Sequence, residues 1–86
     1  MNFIFTLNLP SNLKLPTEAG SNIQQIHAKI DVGSMQELVL MMQKTDFIIG
    51  REFFVRKKFD NTKWIEDRGD IIIAVTLIGK VKEYFE

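Results

Sequence analysis

The sequence contains no cysteine and a single histidine, His27, among its 86 residues. Without cysteine the chain has no disulfide, no thiolate zinc ligand and no thiol nucleophile. One histidine excludes a multi-histidine metal site, and a Ser-His-Asp triad would have to be built on His27. Because His27 alternates with apolar residues, we interpret it as an exposed residue on the polar face of a strand rather than a catalytic base.

Net charge is also lacking, since 11 Lys and Arg residues balance 11 Asp and Glu residues. No global field therefore steers the chain toward nucleic acid or lipid, and any such attraction must come from a local patch. The hydrophobic fraction of 45 % and the charged fraction of 26 % are typical of a globular protein. We expect one domain that spans residues 1–86.

Long apolar runs and leader signals are absent as well. The longest apolar stretch, at residues 71–78, is far shorter than the roughly 20 residues of a membrane helix. The N-terminal residues alternate apolar and polar side chains and carry no basic leader, so the sequence predicts a cytoplasmic protein without a membrane segment.

No constellation for catalysis is evident. The five glycines are scattered singly, which excludes a phosphate-binding loop. Glu66, Asp67 and Asp70 form the densest acidic group, which we interpret as solvated carboxylates paired with Arg or Lys rather than a cation site. The sequence therefore predicts a protein that is not an enzyme and has no cofactor or metal.

The first half of the chain shows clear periodicities. Residues 2–9 and 25–32 alternate apolar and polar side chains, which predicts two strands separated by a loop at residues 10–22. Ser34 and Glu37 form a capping box that starts a helix ending near residue 44. The buried stripe of that helix is predicted to be Met35, Leu38, Val39 and Met42.

The second half is predicted to be extended. Residues 47–59 favour a strand with a bulge at Gly50, residues 60–62 a turn and residues 63–67 a short strand. Residues 68–70 are predicted to form a tight connection in which Gly69 has a positive φ. Residues 71–78 are apolar on both faces and so predict a central strand, followed by a strand or short helix at residues 80–85.

The predicted fold class is α+β, with a mainly antiparallel, curled sheet in the order β-β-α-β-β-β and one helix on one face. A single helix covers only one face of a sheet. Apolar residues remain for the other face, so the sheet either curls into a barrel-like shape or uses that face against another chain.

Basic and aromatic residues are interleaved between Arg51 and Trp64, where five basic residues face two acidic ones. Cations neutralise phosphates and aromatic faces stack on unpaired bases, so this segment fits nucleic acid. The alternative is a solvated hairpin with its aromatic residues in the core. The candidate nucleic-acid contacts are Arg51, Arg56, Lys57, Lys58, Lys63 and Trp64.

Two functions follow from these observations. The first is a non-enzymatic protein-interaction module, self-associating as a homodimer, whose anchors are Phe54, Trp64, Tyr84 and Phe85. In size and style such a chain resembles small phage and mobile-element proteins that bind a host or viral protein. The alternative is a nucleic-acid-binding accessory protein that uses the segment from Arg51 to Trp64. The excess of acidic residues from Glu66 to Glu86 would pair with this basic segment within one chain or between two copies.

Overall fold

The computed structural model describes residues 1–8 and 23–85. These residues form five strands, one α-helix and one 3₁₀ turn, and the loop predicted for residues 10–22 lies outside the described residues. In chain order the elements are β1 (Asn2–Asn8), β2 (Ile23–Lys29), α1 (Met35–Lys44), β3 (Phe47–Lys57), β4 (Lys63–Ala74), the 3₁₀ turn (Val75–Leu77) and β5 (Ile78–Glu83).

The five strands make one sheet in the spatial order β4-β3-β2-β1-β5, and every neighbouring pair is antiparallel. One helix and one antiparallel sheet define a small α+β domain, so the predicted fold class and element order are confirmed. The C-terminal segment continues as strand β5, which settles the choice between a strand and a helix there.

The core lies on the sheet face covered by α1. Phe3, Phe5 and Leu7 alternate along β1 and are buried, as the period of a strand requires. They pack with Leu38 of the helix, with Ile30 just after β2, and with buried apolar residues of the other strands, which are Ile26, Ala28, Ile48 and Ile73. Burial of this apolar area is the main stabilising contribution to the fold.

The sheet is strongly curled. In a flat sheet, four inter-strand spacings, or about 19 Å, would separate Ala74 at the end of β4 from Ile78 at the start of β5. The four residues from Ala74 to Ile78 span at most about 14 Å even when fully extended. The sheet must therefore bend so that its two edges approach each other. Since β4 and β5 are not paired, the sheet remains open among the described strands, and a closed barrel is not formed.

Gly50 was expected to be a bulge, and this expectation is wrong. Gly50 pairs in register with Ile71. A Cβ atom at Gly50 would lie 2.5 Å from Ile30 Cδ1 and 2.6 Å from the Lys29 carbonyl oxygen. Glycine is required here because the end of β2 approaches the backbone of β3 closely.

The tight connection predicted at residues 68–70 is also wrong. β4 continues without a break through these residues, and Arg68 is the extra residue of a β-bulge between Glu52 and Phe53 of β3. Gly69 does adopt the predicted positive φ, at 91°. A turn and a bulge both use this conformation, so the local signal for Gly69 does not distinguish them.

The central strand predicted at residues 71–78 is divided in the structure. Ile71 to Ala74 belong to β4, an edge strand, and the chain then passes through the 3₁₀ turn into β5. Ile72 is 66 % exposed, although its neighbour Ile73 is buried. The apolar residues on both faces of this segment therefore indicate an exposed apolar surface, and not a strand in the centre of the sheet.

The helix begins with half of the predicted capping box: Ser34 caps the first turn, but the Glu37 carboxylate bonds to Gly33, one residue before the cap residue. The Glu37 N–H donates to the Ser34 hydroxyl oxygen over 3.2 Å, and the Glu37 carboxylate accepts from the Gly33 N–H over 2.9 Å. Of the predicted stripe, Leu38 is buried and Met35 and Met42 pack against the core. Val39 was expected on that stripe but is exposed, because Met41 takes its place beside the core.

Replacing the buried Leu38 with alanine should lower the free energy of unfolding by about 2 to 5 kcal/mol, because the change leaves a cavity beneath the helix. Leu40→Ala is the matched control, since Leu40 is 54 % exposed and its loss should change stability by about 0.5 kcal/mol or less. Urea denaturation measures both. Equal losses in the two variants would contradict the packing of α1 described above.

Candidate functional site

The sheet face that points away from α1, which we call the outer face, carries a mixture of cations and aromatic rings. The antiparallel register places its residues in rows that cross the sheet from β5 to β4. One row contains Tyr84, Asn2, Lys29, Arg51 and Asp70, and the next contains Lys82, Ile4, His27, Phe53 and Asp67.

Charge is distributed unevenly between the two faces. On the outer face of the described strands, alternation places six basic residues and two acidic ones, an excess of four positive charges. The acidic residues are Asp67 and Asp70, and the basic residues are Lys29, Arg51, Lys57, Lys63, Lys80 and Lys82. The whole chain has no net charge, so the fold creates a cationic face that the composition conceals.

Arg51 sits between the two acidic residues of this face. Its Nη2 atom lies 2.9 Å from Asp67 Oδ2, and its Nη1 atom lies 2.9 Å from Asp70 Oδ1. These contacts raise the pKa of Arg51, chiefly through the hydrogen bond to Asp67. A hydrogen bond from the Gly69 N–H and the Arg51 guanidinium together lower the pKa of Asp67. The acidic group is therefore paired with arginine, as predicted.

Three rings pack together beside this ion-pair network. The centroids of His27, Phe53 and Tyr84 are 5.4 to 5.6 Å apart, with tilted and edge-on geometries. His27 is thus half-buried by two aromatic rings, although its place on the outer face agrees with the sequence pattern. The cluster connects the end of β5 to β3 across the outer face.

The far half of the β3–β4 hairpin extends away from the sheet. Pairing between β2 and β3 consists of Ala28 with Glu52 and Lys29 with Arg51, whereas β3 and β4 remain paired as far as Lys57 and Lys63. We call residues 53–67 the hairpin arm. Its strands hydrogen-bond to each other and to no other described strand beyond that junction.

A groove of about 500 Å³ lies between the hairpin arm and the end of β5. Charged residues of both signs line one part of it, namely Lys29, Arg51, Lys63, Glu52 and Asp67, and apolar or aromatic residues line the rest. That second group contains Phe53, Val55, Trp64, Ile65, Tyr84 and Phe85. The groove therefore offers an apolar surface with three basic and two acidic residues at its margin.

The opposite side of the hairpin arm holds a different cluster. The guanidinium carbons of Arg56 and Arg68 lie 5.2 and 4.9 Å from the centre of the Phe54 ring. Both arginines also bond to Glu66, at 3.1 and 3.3 Å, and the hydrogen bond from Arg56 is the main cause that lowers the pKa of Glu66. Phe54 is thus partly covered by two cations of its own chain.

The six candidate nucleic-acid contacts occupy different environments. Arg51 and Arg56 are engaged by carboxylates of the same chain, so the basic and acidic segments pair within one molecule. Lys57, Lys58 and Lys63 are exposed and form no ion pair with any residue that the structure describes. Register places Arg56 and Trp64 opposite each other, on the other side of the arm from Lys57 and Lys63.

Sequence reasoning missed Lys29, Lys80 and Lys82 as part of the same cationic face. Alternation around Ala28 and Val81 indicates that these lysines point away from the core. It does not reveal that β5 pairs with β1, which is what brings them onto one surface with the hairpin arm. Of the candidate protein anchors, Tyr84, Phe85 and Trp64 share the groove, whereas Phe54 lies outside its lining.

Comparison with known protein families, with characterised proteins and with solved structures finds no match. Within residues 1–8 and 23–85 no group of three or more histidine, aspartate or glutamate side chains is placed to hold a metal ion. The same residues include no helix long and apolar enough to cross a membrane.

The pairing of Asp67 predicts a stability loss in acid. The pKa of Asp67 is lower in the folded than in the unfolded chain, so its contribution is complete above about pH 3.9 and is lost as the pH falls through the lower folded value. Wild-type protein should therefore lose more stability than Asp67→Asn between about pH 7 and about pH 3. Urea denaturation at the two pH values measures the difference.

Asp31→Asn is the control for this comparison, because Asp31 is exposed and has no ion pair within the described ranges. The free energy of unfolding of Asp31→Asn should differ between the two pH values by as much as that of wild type. If Asp67→Asn retained that difference as well, the ion pair with Arg51 would not contribute to stability.

Proposed function

We propose that the protein binds single-stranded nucleic acid on its outer face. The observation that supports this proposal is the excess of four positive charges on one sheet face of a chain with no net charge. Lys29 of β2 and Lys63 of the hairpin arm line an aromatic groove, and Lys57, Lys80 and Lys82 lie elsewhere on the same face. A polyanion binds such a face favourably, because each phosphate that a lysine neutralises releases a counterion.

The groove favours an unpaired strand over a duplex. Its lining includes the exposed Phe85 and the half-buried Tyr84, whose faces are sequence-tolerant stacking surfaces for bases. Its volume of about 500 Å³ is that of a small-ligand site, which a splayed base can enter and a base pair within a stacked helix cannot. Arg51 is already paired, so we assign phosphate contacts to the lysines.

The proposed role is binding without catalysis. His27 is packed against Phe53 and Tyr84, and this position suits a support for the aromatic groove better than a proton-transfer group. Asp67 and Asp70 accept from Arg51 and hold it in place. In this interpretation the polar residues of the outer face hold a binding surface in place, and the bound ligand undergoes no chemical change.

Replacing Lys63 and Lys82 with glutamine should weaken binding to a labelled oligothymidylate and reduce its salt dependence. Each lost phosphate contact lowers the slope of log affinity against log salt by about 0.7 for a single strand, so the double variant should lose about 1.4. Fluorescence anisotropy over a salt series measures this slope. Wild-type protein that binds no oligonucleotide at low salt would contradict the proposed function.

Lys44→Gln is the control for charge, because Lys44 lies in the last turn of α1, away from the outer face. It removes a positive charge and should leave the slope within about 0.2 of the wild-type value. A reduction per lysine as large as that of the double variant would show that overall charge, and not the outer face, governs binding.

A second candidate function, self-association as a protein-interaction module, is favoured by an apolar patch at the other end of the hairpin. Phe47, Ile49 and Ile72 are 57 %, 69 % and 66 % exposed, and Ile49 pairs directly with Ile72. Contiguous apolar side chains of this kind mark contact surfaces on soluble proteins. In this candidate the patch contacts a second copy of the chain.

The double variant Ile49→Thr with Ile72→Thr should reduce self-association while keeping the strand preference of both positions. Sedimentation velocity over a range of protein concentrations measures it. Val39→Thr, on the exposed side of α1, is the matched control and should not change the mass in solution. A wild-type protein that stays monomeric at every concentration would overturn this second candidate.

A further inference from the structure

The tip of the hairpin arm presents a phenylalanine to solvent from a well-fixed turn. The Lys58 N–H donates to the Thr62 carbonyl over 2.9 Å, and the Asn61 N–H donates to the Lys58 carbonyl over 3.0 Å. Asp60 Oδ1 accepts from the Thr62 N–H and from its hydroxyl, at 3.1 and 2.6 Å. This turn holds Phe59 in a position where its side chain is fully exposed.

The charge around Phe59 is positive. Lys57, Lys58 and Lys63 are exposed at the base of the turn and have no carboxylate partner in the described parts of the chain. Asp60 is the acidic residue of the turn, and its ionised carboxylate leaves an excess of two positive charges over the three lysines and this aspartate. An exposed ring surrounded by unpaired cations is complementary to a base and its phosphates.

We propose that Phe59 is a second base-stacking site, and that a strand bound in the groove continues along the hairpin arm to its tip. The proposal rests on the proposed function and specifies how much of a ligand the protein contacts. Ordered hydrogen bonds in the turn keep the ring exposed before binding, so little conformational freedom is lost when a base stacks on it.

The length of the hairpin arm determines how long an oligonucleotide must be to reach Phe59 from the groove. Phe59 lies four positions after Val55, which lines the groove, so the two residues are at most about 13 Å apart along the arm. That distance corresponds to about four stacked nucleotides at 3.4 Å each. An oligonucleotide of about two nucleotides should occupy the groove alone, and one of about six or more should also reach Phe59.

The test uses the full chain and oligothymidylates from about two to about twelve nucleotides long, with affinity measured by competition against a labelled strand. Phe59→Ala should bind the shortest ligands like wild type and the longest ones about 5- to 150-fold more weakly, the range of one lost base stack. Phe59→Trp should retain the wild-type length dependence. Because the Phe59 side chain is fully exposed, these substitutions should leave the fold unchanged, which circular dichroism checks.

Leu40→Ala is the matched control, since it also removes an exposed apolar side chain but from α1, on the other side of the sheet. It should bind every ligand like wild type. If long ligands bind wild type and Phe59→Ala equally well, the second site is overturned and the proposed function stands. If no ligand of any length binds, both are overturned together.

An anionic lipid surface is the other ligand that an apolar tip with lysines could contact. Vesicles of phosphatidylcholine and phosphatidylserine in a ratio of about four to one test this source. Vesicle binding that Phe59→Ala abolishes, together with unchanged oligonucleotide binding, would overturn the proposal and assign the tip to membranes. Oligonucleotide binding that depends on Phe59, without vesicle binding, supports it.

Discussion

The close approach of β3 to the end of β2 is the constraint on which the rest of the structure depends. Only two residue pairs join the β3–β4 hairpin to the other described strands, and Gly50 lies directly beside them. A side chain at Gly50 would meet the Lys29 backbone and the buried Ile30. Its absence lets one half of the hairpin curl over the core, where Ile48 and Ile73 are buried, while the other half extends as the arm.

The order of the strands in the sheet explains how a chain with no net charge acquires a cationic face. Lysines that are distant in sequence, such as Lys29 and Lys82, come together because β2 and β5 both pair with β1. Each points outward because its strand neighbour, Ala28 or Val81, packs toward the core. Acidic residues of β3 and β4, such as Glu52 and Glu66, fall on the other face of the sheet. Strand alternation combined with strand order thus separates the charges, and neither does so alone.

Arginines and lysines have different roles on this surface. The planar guanidinium of Arg51 bonds to two carboxylates at once, and Arg56 and Arg68 both contact Glu66 and the Phe54 ring. These contacts within the chain stabilise the bulge at Arg68 and the hairpin arm. The lysines of the arm form no such pairs among the described residues, so their charge stays available to a ligand. The arginines therefore stabilise the structure, whereas the lysines are exposed and have no ion-pair partner among the described residues.

The sequence by itself determined the local elements. Alternation along Phe3, Phe5 and Leu7 predicts β1, and the Ser34–Glu37 pair predicts the start of α1, because both signals depend on neighbouring residues alone. Of the six basic residues on the outer face, the sequence pattern singled out Arg51, Lys57 and Lys63 but not Lys29, Lys80 and Lys82.

Only the tertiary structure decided three further features. Gly50 lies in register and Gly69 lies beside the bulge instead of in a turn, and the need for glycine at residue 50 comes from Lys29 and Ile30, which are distant in sequence. Ile72 is exposed because β4 lies at an edge, and the lysines share one face because β5 pairs with β1. Each of these depends on which strands become neighbours, and long-range pairing is set by the packing of the whole core rather than by any local pattern.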